Sequence, residues 1–334
     1  MTNTIDPSQV SVIILYWNGY DDTRATIQSL LHCTPTAAEI VVCDNGSDIN
    51  GAALFSKEFG DAIRCVRFPE NYGVTGGFNA AISQADRPFV VILDDDTEVT
   101  EGWLEALLAA MEDPQVAACQ PKFRSLRDPA FFDYNGSSGG YLDRFGYPFT
   151  RGRIIHTVEK DRGQYDTLCD IHWTSGACMM FRRALWDKHG PFVHFHEVDL
   201  CWRWRNDGYR IVSVPSSVVR HKGAPLRSYA PQRLSTYHRN NLLTILSLSS
   251  PLQLITVLLP RLCLEWVTIV YYLCTGHIAA AWAVCRAFFS FLIHVPQTVI
   301  HRPRAKRYAP LFPRSIVWAY FIRRRRTFSE LLSR

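Results

Sequence analysis

Short apolar runs alternate with amphipathic stretches through the first hundred residues. Val10–Leu15, Ile40–Cys43, Ile63–Phe68 and Phe89–Leu93 are brief, β-branched and bounded by turn residues, so they predict strands. Between them, Asp22–Leu31, Gly51–Phe59 and Thr75–Ala85 predict helices. Such alternation predicts an α/β fold: a mostly parallel sheet with helices on both faces. Further on, Trp173–Phe181 predicts a buried strand, with Gly176 where a backbone or ligand comes close. Glu197–Arg205 predicts the opening of a helix and Ile211–Val214 a strand, with His221 just beyond it. Lys122–Asp170, rich in Gly, Arg and aromatics, reads as a substrate-facing insertion or a long surface excursion.

The pattern changes beyond Arg239. Asn240–Pro260, Trp266–Cys285 and Ala287–His301 contain no Asp, Glu, Lys or Arg, and only Arg261, Glu265 and Arg286 carry charge in the gaps. Trp266–Cys285 is long enough to span a bilayer, yet Gly276 and His277 lie inside it. Pro251, Pro260 and Pro296 interrupt its neighbours, and Arg286 disfavours a span centred on it. Helices lying in the membrane interface fit best. A transmembrane or re-entrant hairpin and a buried dimerisation bundle stay open, and with the last an oligomer. The expected division is a catalytic domain over 1–230 and an apolar, membrane-associating helical region over 231–334.

Composition describes a folded, core-forming chain, with 47% hydrophobic and 13% aromatic residues. The net charge of +5 hides a split. From His301 to Arg334 there are ten basic residues and one acid, Glu330, giving +9; the first 300 residues hold 26 basic and 30 acidic side chains, giving −4. Basic residues near anionic headgroups contribute about 1 kcal/mol each, so the tail suits an anionic membrane surface. Ile316–Ile322, ahead of four arginines, would seat Trp318 and Tyr320 at headgroup level. A basic run also suits nucleic acid, but the apolar segments before it point to lipid, and no nucleic-acid partner is expected. Ten cysteines without a CxxC pair read as reduced thiols of a cytoplasmic protein, and Met1–Gln9 lacks the features of a signal peptide. The expected location is the cytoplasmic face of the cell membrane, peripheral or monotopic more than spanning.

Each strand of the first half ends in polar residues: Tyr16-Trp17-Asn18, Asp44-Asn45-Gly46-Ser47, the stretch Asn71 to Asn79, and Asp94-Asp95-Asp96. Turn formation alone accounts for any one of these. Together they suggest one site, since ligands of open α/β sheets bind at the carboxyl ends of strands. Three adjacent carboxylates call for a cation, and oxygen ligands suit Mg²⁺ or Mn²⁺. Strand alternation would aim Asp94 and Asp96 the same way. The competing reading is a cap for a helix starting near Glu101. His221 is a metal ligand or an ordinary polar residue. Glu197 and Asp199 serve a helix dipole or a general base. The glycine-rich Asn71–Asn79 matches neither GxGxxG nor GxxxxGK[ST].

In order, VSVIILYWN, VVCDNGS, NYGVTGGFNAA, VILDDDTEV, WTSGACMMFRRALW, HEVDLCWRWRNDGYRI and VPSSVVRH resemble family 2 glycosyltransferases, nearest to a bacterial rhamnosyltransferase-like subgroup. The resemblance covers Val10 to His221. It implies a GT-A fold and an inverting, metal-dependent transfer of one sugar, rhamnose being the candidate, from a dTDP- or UDP-linked donor. The acceptor would be a hydroxyl of a polyprenyl-linked or cell-surface glycan. It implies that Asp44 contacts the base near Trp17 and Asn18, and that Asn71, Gly73, Gly77 and Asn79 line the donor pocket. Asp94 and Asp96 would hold Mg²⁺ or Mn²⁺ with His221, Asp95 and Arg203 would join the donor site, and Glu197 would be the base, supported by Asp199. Tyr16-Trp17-Asn18 departs from the family's usual Thr-Tyr-Asn, and His196-Glu197 from its usual acid pair. Gln232-Arg233-Leu234-Ser235-Thr236 lacks the QxxRW-like motif of processive synthases, so one sugar per acceptor is expected. A sugar-phosphate nucleotidyltransferase would need a Gly-rich, basic loop after the first strand, which Tyr16-Trp17-Asn18-Gly19 does not supply. A non-catalytic membrane scaffold with the transferase fold would not need intact Asp94, Asp96 and Glu197.

Overall fold

The structure, a computed structural model, describes residues 5–223 and 230–333. Met1–Thr4 of the polar start and Arg334 of the basic tail lie outside the described residues. Four strands, β1 (Val10–Tyr16), β2 (Glu39–Asp44), β3 (Arg64–Arg67) and β4 (Phe89–Asp94), form a parallel block in the order β4-β1-β2-β3. Helices α1 (Tyr20–His32), α2 (Gly51–Phe59) and α3 (Gly73–Ile82) connect the first three strands with their successors. Side chains alternate across β1, so Ile13 joins one core while Val12 and Ile14 join the other. Burial on both faces is why these strands read as near-continuous apolar runs. Register pairs Leu15 with Asp94 and Tyr16 with Asp44, so both acids finish at one carboxyl edge.

The chain continues through β5 (Thr97–Val99), α4 (Trp103–Met111) and β6 (Val116–Ser125). Then follow β7 (Gly140–Leu142), β8 (Pro148–Thr150), β9 (Arg153–Ile154), β10 (Thr157–Val158), β11 (Cys169–Asp170), β12 (Cys178–Arg182), α5 (Arg183–His189), α6 (His196–Asp207) and β13 (Arg210–His221). β12 runs antiparallel to β4 and β6, and β13 lies parallel to β6, so the main sheet is mixed. Most predicted boundaries move by a few residues at most, and two shift further. The strand expected from Trp173 begins at Cys178, because Trp173 lies against Gly140, where an added Cβ would come within 2.3 Å of the indole. The strand expected to stop at Val214 runs on to His221. Pro215-Ser216-Ser217 hides this extension in the sequence, and a register shift between Val214 and Val218 accommodates it.

The stretch read as an insertion or excursion folds β7–β10 into a small antiparallel sheet. The C-terminal tail completes its core: Ile316, Ala319, Phe328 and Leu331 join Phe132, Phe149, Ile154 and Tyr165. Ile316 N donates to Asp143 and Phe328 N to Glu159, each at 2.9 Å. The tail is therefore part of the fold as well as a carrier of charge, and it ends in α11 (Phe328–Leu332).

Beyond the described gap, α7 (Pro231–Leu248) inserts Leu242, Leu243 and Ile245 into the core that holds Trp202 and Trp204. α8 (Pro251–Gln253), a π-helical turn and α9 (Leu259–Cys274) run on as one 24-residue rod, followed by the 23-residue α10 (Ile278–Ile300). The run Trp266–Cys285 is thus no single helix. It is the corner of a hairpin, turned by Gly276 at φ +78°. Both helices are long and apolar enough to cross a membrane, and 28% of the most apolar 18-residue window of each is buried. The charges that interrupt α9 face inward: Arg261 pairs with Glu265 at 2.7 Å, and Glu265 with His238 of α7 at 2.6 Å.

Candidate active site

β4 ends at Asp94, Asp95 and Asp96 form the turn into β5, and Thr97 of β5 pairs with His221 at the end of β13. A tight turn, not strand alternation, brings Asp94 and Asp96 together. The first turn of α4 follows Gly102, so the three acids cap no helix. His221 Nε2 stands 3.1 Å from Asp96 Oδ1 and 3.7 Å from Asp94 Oδ2. Ligand atoms of all three residues lie within 4.8 Å of one another. His221 Nδ1 lies 3.2 Å from Asp133 Oδ2, and the Asp133 carboxylate also accepts the N–H groups of Asn135 and Gly136. Nδ1 makes no well-aligned hydrogen bond among the described residues, so Asp133 acts on His221 as a negative charge behind the ring, with Nε2 left to face Asp94 and Asp96. Two carboxylates and one imidazole suit Mg²⁺ or Mn²⁺.

Crowding shows in the protonation balance. Burial, with Asp96 adding to it, pushes Asp94 up to about 6. Burial and its two acidic neighbours push Asp95 to about 7. Burial draws His221 down, but the carboxylates of Asp133 and Asp96 outweigh it and hold the imidazole well above its ordinary value. A divalent cation would relieve this carboxylate repulsion.

Glu197 lies in the first turn of α6, after His196, whose φ of 45° bends the chain into the helix. Burial pushes the Glu197 carboxyl up to about 7, against the opposing pull of backbone N–H groups including that of Gly176. Glu197, Asp94 and His221 line one cavity of about 360 Å³. Gly176 lies on the same wall, 3.6 Å from Glu197 as measured from an added Cβ. Asp199 and Arg203 do not line this cavity. Asp199 is buried and pairs with Arg203 at 2.7 Å; Arg203 also donates to the carbonyls of His189 and Pro191. They brace α6 against the loop before it, so Arg203, expected at the donor, is occupied within the protein.

The other candidate residues lie outside this cavity, at the ends of β1 to β4 and in α3. Asp44 is fully buried and accepts the N–H groups of Ser47, Gly51 and Ala52, with Arg67 at 3.4 Å, so it shapes the loop a base would meet. Asn18 exchanges hydrogen bonds with Asp48, and Trp17 beside it is 54% exposed. Asp95 turns toward this loop, 3.5 Å from Thr23 Oγ1. Asn71 accepts from Asn45 and from Gly73 N, tying two strand ends together. Gly77 is a packing glycine: an added Cβ would stand 2.9 Å from Leu15. Asn79 exchanges two hydrogen bonds with the backbone of Phe192 and so holds the loop ahead of α6. Asp133, Arg153 and Tyr237 escape sequence reasoning. Asp133 meets His221 only through the fold, and Arg153 and Tyr237 enter the cavity from the small sheet and α7.

The fold is that of the GT-A transferases. A mannosyltransferase from Pyrobaculum calidifontis, solved in complex with GDP-Man and Mn²⁺, superposes with a TM-score of 0.51 at 16% identity, covering 86% of this chain and 88% of that one. The Glycosyl transferase family 2 model matches residues 11–190, more than half of the chain, and the protein belongs to that family. A pre-mycofactocin glycosyltransferase of Mycobacterium tuberculosis is 28% identical over 223 residues, which is 64% of this chain and 42% of the relative. The match thus spans less than half the length of that relative. An N-acetylglucosaminyl-diphospho-decaprenol L-rhamnosyltransferase of the same species is 25% identical over 239 residues, 64% of this chain and 76% of the relative.

Proposed function

We propose that the protein transfers one sugar, with inversion, from a UDP- or dTDP-linked donor to a hydroxyl of a lipid-linked or cell-surface glycan. The observation that carries this is the single cavity shared by Glu197 and the Asp94–His221 cluster. In this reading Glu197 takes the proton of the acceptor hydroxyl, for which a carboxyl near neutral is suited. The acceptor oxygen bonds to the anomeric carbon as the sugar–phosphate bond breaks, and the nucleoside diphosphate leaves. Asp94, Asp96 and His221 would hold Mg²⁺ or Mn²⁺, which when bound supplies positive charge for the diphosphate. Asp133, 3.2 Å behind the ring, adds negative charge that favours a cation on the far side of His221. The name of the decaprenol-linked relative supports rhamnose as the first sugar to test and a polyprenyl diphosphate as the carrier.

The same reading places the protein on the cytoplasmic face of the membrane. Trp266, Val270, Trp282, Ile293 and Ile300 are exposed on the hairpin. Trp318, Phe321 and Ile322 are exposed next to the exposed Arg323, Arg324 and Arg326. Tyr320 instead turns inward, its hydroxyl 3.2 Å from Thr157. The division read at 230/231 is one of composition more than of task, since Tyr237 lines the catalytic cavity.

A thermal-shift panel of UDP- and dTDP-sugars, with and without Mn²⁺, tests the donor: one nucleotide-sugar should stabilise the protein only with metal. Glu197→Gln should keep that shift and lose transfer by roughly 10²–10⁴-fold. Normal turnover in this variant would remove Glu197 as the base.

A further inference from the structure

The cavity holds one cation that the transfer chemistry above does not use. Arg153, on β9, lines it together with Pro148, Asn135 and Tyr237. Its guanidinium sits 4.4 Å from the centre of the Tyr134 ring and donates one hydrogen bond, to Ile155 O at 3.2 Å. Among the described residues its Nε is buried without a partner and no acid pairs with it. Other basic residues around this small sheet are differently placed: Lys122 and Arg124 pair with Asp161, and Arg151 donates to the carbonyls of Ser138, Tyr165 and Thr167. A buried guanidinium edge without a counter-ion costs free energy unless an anion completes it, and its planar fork matches phosphate.

We propose that Arg153 anchors a phosphate-binding subsite of this cavity, separate from the Asp94–Asp96–His221 cluster. The inference rests on the transferase reading, which brings two diphosphates to the cavity: that of the nucleotide donor and that of a lipid-linked acceptor. The wall favours the second source. Arg153 and Tyr237 come from the small sheet and α7, and those elements are fastened to the apolar hairpin. Arg261 of α9 lies 3.4 Å from the Tyr147 ring centre, and Glu265 holds His238, the neighbour of Tyr237.

Two binding measurements on the full chain in detergent decide the matter. One titrates UDP in the presence of Mn²⁺. The other titrates farnesyl diphosphate, with farnesol as the phosphate-free control, after UDP and Mn²⁺ have filled the donor site. Arg153→Met should weaken one of the two diphosphates about 10- to 100-fold and leave farnesol unchanged. Arg153→Lys should lose less, because it keeps the charge without the fork. Loss confined to farnesyl diphosphate assigns the subsite to the acceptor, and loss of UDP assigns it to the donor. Unchanged affinity for both in a variant that melts like the wild type overturns the proposal. Should Arg153→Met fail to fold, Arg153→Lys is judged by the same criterion. If the wild type turns over no nucleotide-sugar, the transferase reading fails, while these titrations still decide the subsite.

Discussion

Asp133 stands 3.2 Å from the Nδ1 side of His221 and leaves Nε2 to face Asp94 and Asp96. Partners of this kind typically account for 10–100-fold in metal affinity, so Asp133→Asn should weaken Mn²⁺ binding by about that factor in calorimetry without nucleotide. Equal affinity would reduce Asp133 to a loop residue. Glu197 makes a pH-dependent prediction. Its carboxyl is raised to about 7, so the basic form accumulates as pH rises through that value. The logarithm of kcat/KM should climb with unit slope below about pH 7 and level off above it. The sign for stability is opposite: a raised carboxyl favours the fold below the unfolded value of 4.5, and that contribution is lost as pH rises through about 7. Glu197→Gln should therefore melt higher than wild type at pH 8 without metal, by an amount worth roughly 1–3 kcal/mol. Asp94 and Asp96 were legible as an acidic cluster at a strand end, whereas His221 and Glu197 took their expected roles only from the family resemblance, since spacing alone left both open. Asp133 was not legible, because an acid among Phe131, Phe132 and Tyr134 has no local signature until β13 brings His221 to it.

Helix α6 shows how an element positions the proposed base. Glu197 sits in its first turn, while Asp199 and Arg203 lock the helix to the carbonyls of His189 and Pro191. Removing one partner of a buried pair leaves the other uncompensated, at about 3–5 kcal/mol. Asp199→Ala should lower the melting temperature and cut kcat, while the affinity for UDP with Mn²⁺ changes little; loss of UDP affinity instead would place this pair at the donor. The helix was readable from its pattern, but the service of Arg203 was not: a carbonyl acceptor leaves no mark in sequence. β13 teaches the same lesson at its bulge, where a proline and two serines look like an end but are a shift in register.

At the scale of the molecule, the tail that supplies the positive charge also fills the core of the small sheet through Phe328 and Leu331. Truncating it would expose that core and confuse anchoring with folding. Reversing charge at Arg323, Arg324 and Arg326, all exposed, is the cleaner test. At about 1 kcal/mol for each basic residue, the reversal should abolish binding to anionic vesicles at moderate salt, measured by flotation, and spare UDP binding. Trp282→Glu with Ile293→Glu should weaken binding to neutral vesicles as well, because the hairpin's contribution is apolar burial. The net +5 is thus the sum of an acidic body, whose carboxylates are arranged for a cation, and a basic rim beside an apolar face. The sequence by itself determined the alternating α/β body, the polar strand ends and the apolar, basic rear, because periodicity, turn chemistry and charge are local properties. Only the tertiary structure decided that Asp133 stands behind His221, that Arg203 binds Asp199 and the carbonyls of His189 and Pro191, that Trp266–Cys285 is a corner, and that Arg153 and Tyr237 share a chamber with Glu197. Those are contacts between residues far apart along the chain, fixed by packing and register, and no local pattern encodes them.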